Sequence, residues 1–294
     1  MPRSFVLRLI AAIGLSCAFF PSWSLADSHH IFWEVKGKHN TIYLLGSVHM
    51  LKPDDSALPP EALRAYAQSK TLVMELDLND AGAEGALAGE TEMALLPEGQ
   101  TLSTMLGSDL FAKFKAHAAV VGLDTDMVER FQPWFAAVML EQLQLAKAGF
   151  DASSGVDMQF AQRAQVDGKP IIGLETMDEQ LSIFATMSDQ QQREFVRSTL
   201  DESDANANET EEVVQAWKNG DTAKLERLMR DNTQESPELY RKLTVDRNRK
   251  WLPRIEQMLH GDDNYLVIVG ALHLIGRDGV VDLLERQGYT PVQH

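Results

Sequence analysis

The sequence predicts an α/β protein whose mixed sheet is built from both chain ends and a middle strand, with a large helical insertion. Apolar β-rich runs occur near the start, in the stretch "IIGLE", and near the end of the chain. The first region has the order strand, helix, strand, which implies parallel pairing. Between these runs the apolar residues recur at helical spacing.

Residues 1–26 have the features of a secretory signal peptide. "MPRSFVLR" is basic, "LIAAIGLSCAFF" is too short to span a bilayer comfortably, and Ser24 and Ala26 are small residues suited to a cleavage site. We expect cleavage after Ala26, so N-terminal sequencing of exported protein should find Asp27 first. The only cysteine, Cys17, lies in this segment. A mature chain without cysteine suits the bacterial periplasm and excludes disulfides and a thiolate nucleophile.

The elements of the mature chain can be followed in order. "IFWEV" and "TIYLLGSVH" flank a turn at Lys38-His39-Asn40, which predicts a hairpin, and "LPPEALRAYAQS" predicts a helix with prolines at its start. "TLVMELDL" predicts a strand and "KPIIGLE" a short buried one. "QPWFAAVMLEQLQLAKAGF" predicts a helix with Pro133 in its first turn. The chain closes with strand "NYLVIVG", helix "GVVDLLERQG" and short strand "TPVQ".

These elements predict one domain over residues 27–294. Its α/β core would comprise residues of about 30–80, 168–178 and 262–294, and its helical subdomain about 81–166 and 177–260. The formal net charge of −16 argues against nucleic acid as a partner. No later segment has the length and apolarity of a membrane span.

Two histidines follow predicted strand ends with the same G-x-x-H spacing. Gly46 and His49 end "YLLGSVH", and Gly270 and His273 end "YLVIVGALH". Ligands collect beyond the carboxyl ends of strands in α/β sheets, and strands from opposite chain ends can be neighbours. The glycines would let the backbone turn sharply or approach a ligand closely. The spacing favours one shared site, and two separate structural histidines are the alternative.

Two acids are candidates for the same site. Alternation in "TLVMELDL" places Glu75 among apolar neighbours, where a buried carboxylate needs a partner. Glu175 ends the strand "IIGLE" and could bind a ligand or orient a histidine. Thr176 and Glu179 have capping-box spacing. A water-facing Glu75 and a Glu175 that only favours a helix start remain open alternatives.

Three polar residues in helical segments are weaker candidates. Asp157 lies at the helix start "GVDMQFA", and Arg247 and Asn248 lie in "DRNRKW". Arg247 could clamp a carboxylate, although a solvated helix position is the favoured interpretation of all three. The sequence has no G-x-S-x-G elbow, phosphate-binding glycine loop, H-E-x-x-H motif or cysteine cluster.

Several segments, taken together and in order, resemble a known family. They are "WEVKGKHNTIYLLGSVHML", "LPEGQTLSTML", "GVDMQFA", "IIGLETMDEQ", "AWKNGDTAKLERL", "RNRKW" and "YLVIVGALHLIGRDGVVDLLERQGY". Over nearly the whole mature chain they resemble the TraB/PrgY/GumN family, in its exported GumN-like branch. The animal Tiki proteases resemble the same family and are described as metal-dependent, with two G-x-x-H motifs and a glutamate. Those positions correspond to Gly46, His49, Glu75, Gly270 and His273.

The resemblance implies the fold of the erythromycin-esterase and haem-binding ChaN-like superfamily, a divalent metal and a peptide substrate. We therefore expect an exported metal-dependent hydrolase, above all a peptidase, acting on a peptide or small molecule. His49, His273 and Glu75 would be the metal ligands, with Glu75 or Glu175 as ligand or general base. Manganese, cobalt and zinc all suit such nitrogen and oxygen ligands. The alternatives are a non-catalytic peptide- or haem-binding protein and a metal-free His/Glu hydrolase.

Overall fold

The computed structural model describes residues 30–77, 92–205, 207–233 and 237–294 of the chain. The predicted signal peptide and the start of the first helical block lie outside these residues. In the described part, a six-stranded sheet has the order β4-β3-β5-β2-β1-β6. The strands are β1 (Phe32–Lys36), β2 (Thr41–Ser47), β3 (Thr71–Met74), β4 (Ile171–Gly173), β5 (Tyr265–Gly270) and β6 (Val292–Gln293).

The sheet is mixed, as the sequence predicts. β1 pairs antiparallel with β2, which confirms the hairpin, and β6 pairs antiparallel with β1. The pairs β2–β5, β5–β3 and β3–β4 are all parallel. β2 and β5 come from opposite ends of the chain yet are neighbours, with Ser47 opposite Gly270. Their carboxyl ends therefore meet at one edge of the sheet.

The two central strands, β2 and β5, are apolar and buried along most of their length. This is the pattern of parallel strands that are covered on both faces. β4 was expected to be buried as well, but its residues are only half-buried. The reason is its place at the end of the strand order, since an edge strand has a neighbour on one side only.

Helices account for most of the other described residues. They are α1 (Pro60–Gln68), α2 (Leu102–Leu106), α3 (Ser108–Val121), α4 (Thr125–Val128), α5 (Pro133–Lys147), α6 (Val156–Asp167), α7 (Met177–Ala185), α8 (Asp189–Ala205), α9 (Ala207–Lys218), α10 (Thr222–Thr233), α11 (Pro237–Tyr240), α12 (Asp246–Leu259), α13 (Ala271–Leu274) and α14 (Val280–Arg286). Pro133 begins α5 and a capping box of Thr176 and Glu179 begins α7, which confirms both predictions. Short 3-10 turns occur at Pro53–Asp55 and Ala152–Ser154, and a π-helical turn at Arg241–Val245.

The buried apolar side chains form two clusters. The larger one joins the sheet to residues of α1, α6, α9, α12 and α14. The smaller one consists of residues from α2, α3, α5 and α8, together with Val128. The helical insertion thus has apolar packing of its own beside that of the sheet. Within the described residues, no helix has both the length and the apolarity to cross a membrane.

Candidate active site

The carboxyl edge of the sheet brings the two strand-end histidines and Glu75 together. His49 follows the end of β2 by two residues, and His273 lies in the short helix α13 directly after β5. Glu75 was expected inside a strand, but β3 ends at Met74. The N–H of Glu175 donates to the carbonyl of Glu75 at 3.0 Å, so the chain after β4 still runs beside it.

The three side chains surround one point next to Gly270. A Cβ atom added to Gly270 would lie 3.4 Å from Oε1 of Glu75, 3.5 Å from Cδ2 of His273 and 3.6 Å from Nε2 of His49. His49 and Glu75 also line a cavity of about 270 Å³, together with Ser47, Met74, Leu76, Asp157, Gln180 and Ile268. Two strand ends and a neighbouring carboxylate therefore share one concave site.

His49 is held by Asp157 and presents its other nitrogen to the site. Nδ1 of His49 lies 3.0 Å from Oδ2 of Asp157. A carboxylate oxygen accepts, so Nδ1 carries the proton. Its hydrogen bond to Asp157 raises the pKa of His49 to about 9, although the side chain is 61% exposed. Asp157 does lie in the first turn of α6 as expected, but it also orients a site histidine, which its position in the sequence did not reveal.

His273 is buried, and its tautomer is fixed by Asn248. Nδ2 of Asn248 donates to the carbonyl of Asp278 at 2.8 Å, which turns Oδ1 toward Nδ1 of His273 at 2.7 Å. Nδ1 of His273 therefore carries the proton and Nε2 is the acceptor. Nη1 of Arg247 donates to this Nε2 at 3.0 Å. Burial lowers the pKa of His273 to about 4, so the ring is neutral near pH 7.

Arg247 lies at the centre of the buried charges. Its Nη2 donates to Oε2 of Glu75 at 2.5 Å and to Oε1 of Glu175 at 2.6 Å, and its Nε also bonds Glu175. Nη1 donates to the carbonyl of Leu243 as well, and the guanidinium lies over the ring of Trp251, 4.7 Å from its centroid. One guanidinium thus links both candidate acids to His273.

The expectation that Arg247 and Asn248 lie on a solvated helix face was wrong. Arg247 is 9% exposed and Asn248 is fully buried. The sequence does contain a signal for this, because Trp251 and Ile255 follow Arg247 at intervals of four residues and are also buried. Residues four apart share a helix face, so the apolar stripe of α12 continues into Arg247.

Glu75 is an ionised carboxylate in this setting. Burial by itself raises the pKa of Glu75, but the charges of His273, Arg247 and His49 and the N–H of Gly270 outweigh it and lower the pKa to about 2. Because His273 is neutral near pH 7, the positive charges near Glu75 at that pH are those of Arg247 and His49. Oε1 of Glu75 accepts from the backbone N–H of Gly270 at 2.7 Å, which fixes the carboxylate beside the shared point.

Glu175 has a different position. Its side chain is only 2% exposed, and its oxygens accept from Arg247 and from Nε1 of Trp251 at 3.2 Å. It lines a second cavity of about 250 Å³, which also includes Arg247 but not His49. Glu175 thus fixes Arg247, a role that the sequence did not suggest, and it touches His273 only through that arginine.

The two motif glycines serve different purposes. Gly270 has a φ of −50°, and Gly46 is not among the glycines with positive φ, so neither position needs a left-handed backbone. A Cβ on Gly46 would lie 2.3 Å from Cγ2 of Ile31 and 2.9 Å from Cα of Ala271. Gly46 is therefore required for close backbone packing, whereas Gly270 leaves space between the site side chains.

The imidazole nitrogens and carboxylate oxygens of the site are of the types that bind metals. They are not all directed at a single position that a metal ion could occupy. Each histidine has Nδ1 bonded to an oxygen and Nε2 directed inward, as metal-ligating histidines have. However, Nε2 of His273 accepts from Arg247 and lies 3.9 Å from Oε1 of Glu75. Among the residues that the structure describes, no three His, Cys, Asp or Glu side chains form a metal-binding group. The arrangement seen here does not fit a metal centre.

The fold and the site define an α/β protein with paired strand-end histidines around a buried glutamate–arginine network. The model of the TraB/PrgY/gumN family matches residues 31–293, and the chain belongs to this family. It is 25% identical over 267 residues to the uncharacterized protein YbaP of Escherichia coli (strain K12), covering 89% of this chain and 96% of YbaP.

Two further relatives have names that state an activity. The chain is 24% identical over 352 residues to metalloprotease TIKI2 of Danio rerio, covering 95% of this chain and 66% of TIKI2. It is 25% identical over 352 residues to metalloprotease TIKI1 of Homo sapiens, covering 100% of this chain and 67% of TIKI1. The family resemblance is thus confirmed. No solved structure matches the chain, so the likeness to the erythromycin-esterase and ChaN-like superfamily stays a prediction.

Proposed function

We propose that this chain is a hydrolase that cleaves peptide bonds in the cavity beside His49 and Glu75. The observation that carries the proposal is the convergence of His49, Glu75 and His273 on one point next to Gly270. The similarity to proteins named metalloproteases supports the choice of a peptide as substrate. The cavity of about 270 Å³ is slightly smaller than typical ligand pockets, which suits one side chain of a peptide and the bond beside it.

The two groups that face the cavity have opposite protonation states. Glu75 is ionised, and its Oε1 lies at the shared point, so it can accept a proton from an attacking water. His49 is protonated near pH 7 because of Asp157, so its Nε2 can donate a proton to the leaving amine. Titratable neighbours whose pKa values are shifted apart are the pattern of an acid–base pair. Arg247 and the backbone N–H of Gly270 hold the carboxylate in place.

Metal dependence and export complete the proposal. Metal dependence is supported by the names of the Tiki relatives and by the type of the donors, and manganese, cobalt or zinc would suit them. No step is assigned to a metal, because His273 directs a carbon atom to the shared point and its Nε2 is bonded to Arg247, and no three His, Cys, Asp or Glu side chains of the described residues form a metal-binding group. Export to the periplasm is supported by the features of residues 1–26, and a peptide is the proposed partner.

The test is peptide cleavage by the purified chain. A mixture of peptides is incubated with wild type, Glu75→Gln or His49→Gln, and new termini are identified by mass spectrometry. Both variants should lower the cleavage rate by about 100-fold or more, since each removes one partner of the proton transfer. His260→Gln is the matched control because His260 is an exposed histidine at the end of α12, outside the cavity.

A wild-type chain that retains peptides without cutting them would support the alternative of a binding protein. Full cleavage by His49→Gln or Glu75→Gln would contradict the assignment of those residues. Repeating the wild-type reaction with EDTA, and then with added Mn²⁺, Co²⁺ or Zn²⁺, tests metal dependence separately. Cleavage that continues unchanged in EDTA would favour the metal-free form of the proposal.

A further inference from the structure

We propose that Arg247 is a resident cation that excludes a divalent metal from His273, so that metal ligation by His273 and the Arg247–His273 hydrogen bond are mutually exclusive. The inference rests on the proposed function only in the choice of a divalent metal as ligand. It accounts for a contrast in the site: the donor types suit a metal, but His273 is turned to a guanidinium instead.

The first support is the number of lone pairs that His273 can offer. Asn248 takes the Nδ1 proton, and the amide of Asn248 is itself fixed by the carbonyl of Asp278. The ring therefore has one free lone pair, on Nε2. Nη1 of Arg247 donates to that lone pair at 3.0 Å. A metal can coordinate His273 only after this hydrogen bond has been broken.

The second support is charge. Nη2 of Arg247 lies 2.5 Å from Oε2 of Glu75, and the Arg247 and Glu75 side chains are about nine-tenths buried. A dication held by Glu75 and His273 would lie next to this guanidinium in a region of low dielectric constant, where like charges repel strongly. The positive charge of Arg247 already compensates the carboxylate that a metal would use.

The third support is the way in which Arg247 is anchored. Nε and Nη2 both bond Glu175, whereas Nη1 bonds His273 and the carbonyl of Leu243. Leu243 belongs to the π-helical turn Arg241–Val245, which directly precedes α12. Because the guanidinium group is planar and rigid, its bonds to Glu175 and to Leu243 also fix the position of Nη1 beside His273. The anchoring therefore keeps in place the contact that blocks the metal.

The experiment is a calorimetric titration of the chelator-treated chain with Mn²⁺ or Zn²⁺ alone. Compared with wild type, Arg247→Met should bind the metal with an affinity that is higher by about tenfold or more. The substitution frees His273 and removes a nearby positive charge. The gain should disappear in Arg247→Met/His273→Ala. Arg249→Met is the matched control, because Arg249 is an exposed arginine on the same helix, and it should bind like wild type.

Loss of folding does not prevent the test. If Arg247→Met unfolds because Glu75 and Glu175 both lose their partner, Arg247→Met/Glu175→Gln removes the charge of Glu175, leaves Glu75 free to bind the metal, and should show the same gain. Wild type gives an independent measurement: any metal that it binds should be lost in His49→Ala and unaffected in His273→Ala. A folded Arg247→Met that binds no more tightly than wild type, or a wild-type affinity that depends on His273, would overturn the inference. No substrate is present, so a failure to cleave peptides leaves this result unaffected.

Discussion

At the scale of single residues, the buried network depends on Glu175 for its stability. Glu175 accepts hydrogen bonds from Nε and Nη2 of Arg247 and from Nε1 of Trp251, and almost none of its side chain is exposed. A buried ion pair is costly to break because the remaining charge loses its partner in a region where water cannot replace it. The nearby Glu179 has a carboxylate in contact with Lys250 at the surface.

Glu175→Gln is therefore expected to lower the free energy of unfolding by about 3 kcal/mol or more. Glutamine can still accept from Trp251, but it cannot balance the charge of Arg247. The measurement is urea unfolding followed by circular dichroism. Glu179→Gln makes the same chemical change on an exposed capping-box residue and should cost less than about 1 kcal/mol. Equal losses in the two variants would show that the burial of Glu175 does not matter to stability.

At the scale of elements, the two G-x-x-H strand ends are alike in sequence and different in packing. At the end of β2, Gly46 lies against Ile31 and Ala271, and its carbonyl accepts from Nε1 of Trp217 at 2.7 Å. At the end of β5, Gly270 lies between the side chains of the site, and an added methyl group would make only ordinary contacts of 3.4 Å or more. Gly46 is needed for folding, whereas Gly270 keeps the space between the side chains of the site open.

Substitution by alanine should therefore affect stability at Gly46 and peptide cleavage at Gly270. Gly46→Ala should lower the free energy of unfolding by about 1–3 kcal/mol or more, because the methyl group overlaps atoms of Ile31 and Ala271. Gly270→Ala should keep nearly normal stability and lose peptide cleavage, because the methyl group occupies the point shared by His49 and Glu75. Urea unfolding and the cleavage assay give both values for each variant. A stable, active Gly270→Ala would mean that the shared point is not where the reaction occurs.

At the scale of the whole molecule, the sheet joins two chain ends and thereby combines two histidines with opposite pKa shifts. The ordinary pKa of both is 6.5. Burial lowers the pKa of His273 to about 4. Between about pH 4 and pH 6.5, the unfolded chain therefore binds a proton at this histidine that the folded chain does not bind. The bond to Asp157 raises the pKa of His49 to about 9, so between 6.5 and that value the folded chain binds the extra proton.

Stability of the metal-free chain should therefore be highest near pH 6.5. As the pH falls from about 6.5 to 4, the contribution of neutral His273 is lost, and as the pH rises to about 9, the contribution of protonated His49 is lost. The measurement is urea unfolding in EDTA between pH 4.5 and about 9. His273→Gln should reduce the loss of stability below pH 6.5, and His49→Gln should reduce the loss above it. His260→Gln is the control variant. A wild-type stability that stays constant below pH 6.5 would contradict the burial of a neutral His273.

The sequence by itself determined the α/β class, the hairpin, the ends of β2 and β5 and the two histidines that follow them. These features depend on local patterns: runs of apolar residues, glycine positions and helix-start signals lie within a few residues of what they specify. The sequence allowed β2 and β5 to be neighbours, and the strand order of the sheet shows that they are.

Only the tertiary structure decided how the polar residues are paired. Asp157 and Asn248 look like ordinary helix residues in the sequence, yet Asp157 orients the ring of His49 and Asn248 fixes the tautomer of His273. Arg247 is separated from Glu75 and Glu175 by long stretches of chain, and its burial between them depends on how α12 packs against the sheet edge. The physical reason is that a charge is buried only where partners from several elements converge, and no local pattern records that convergence.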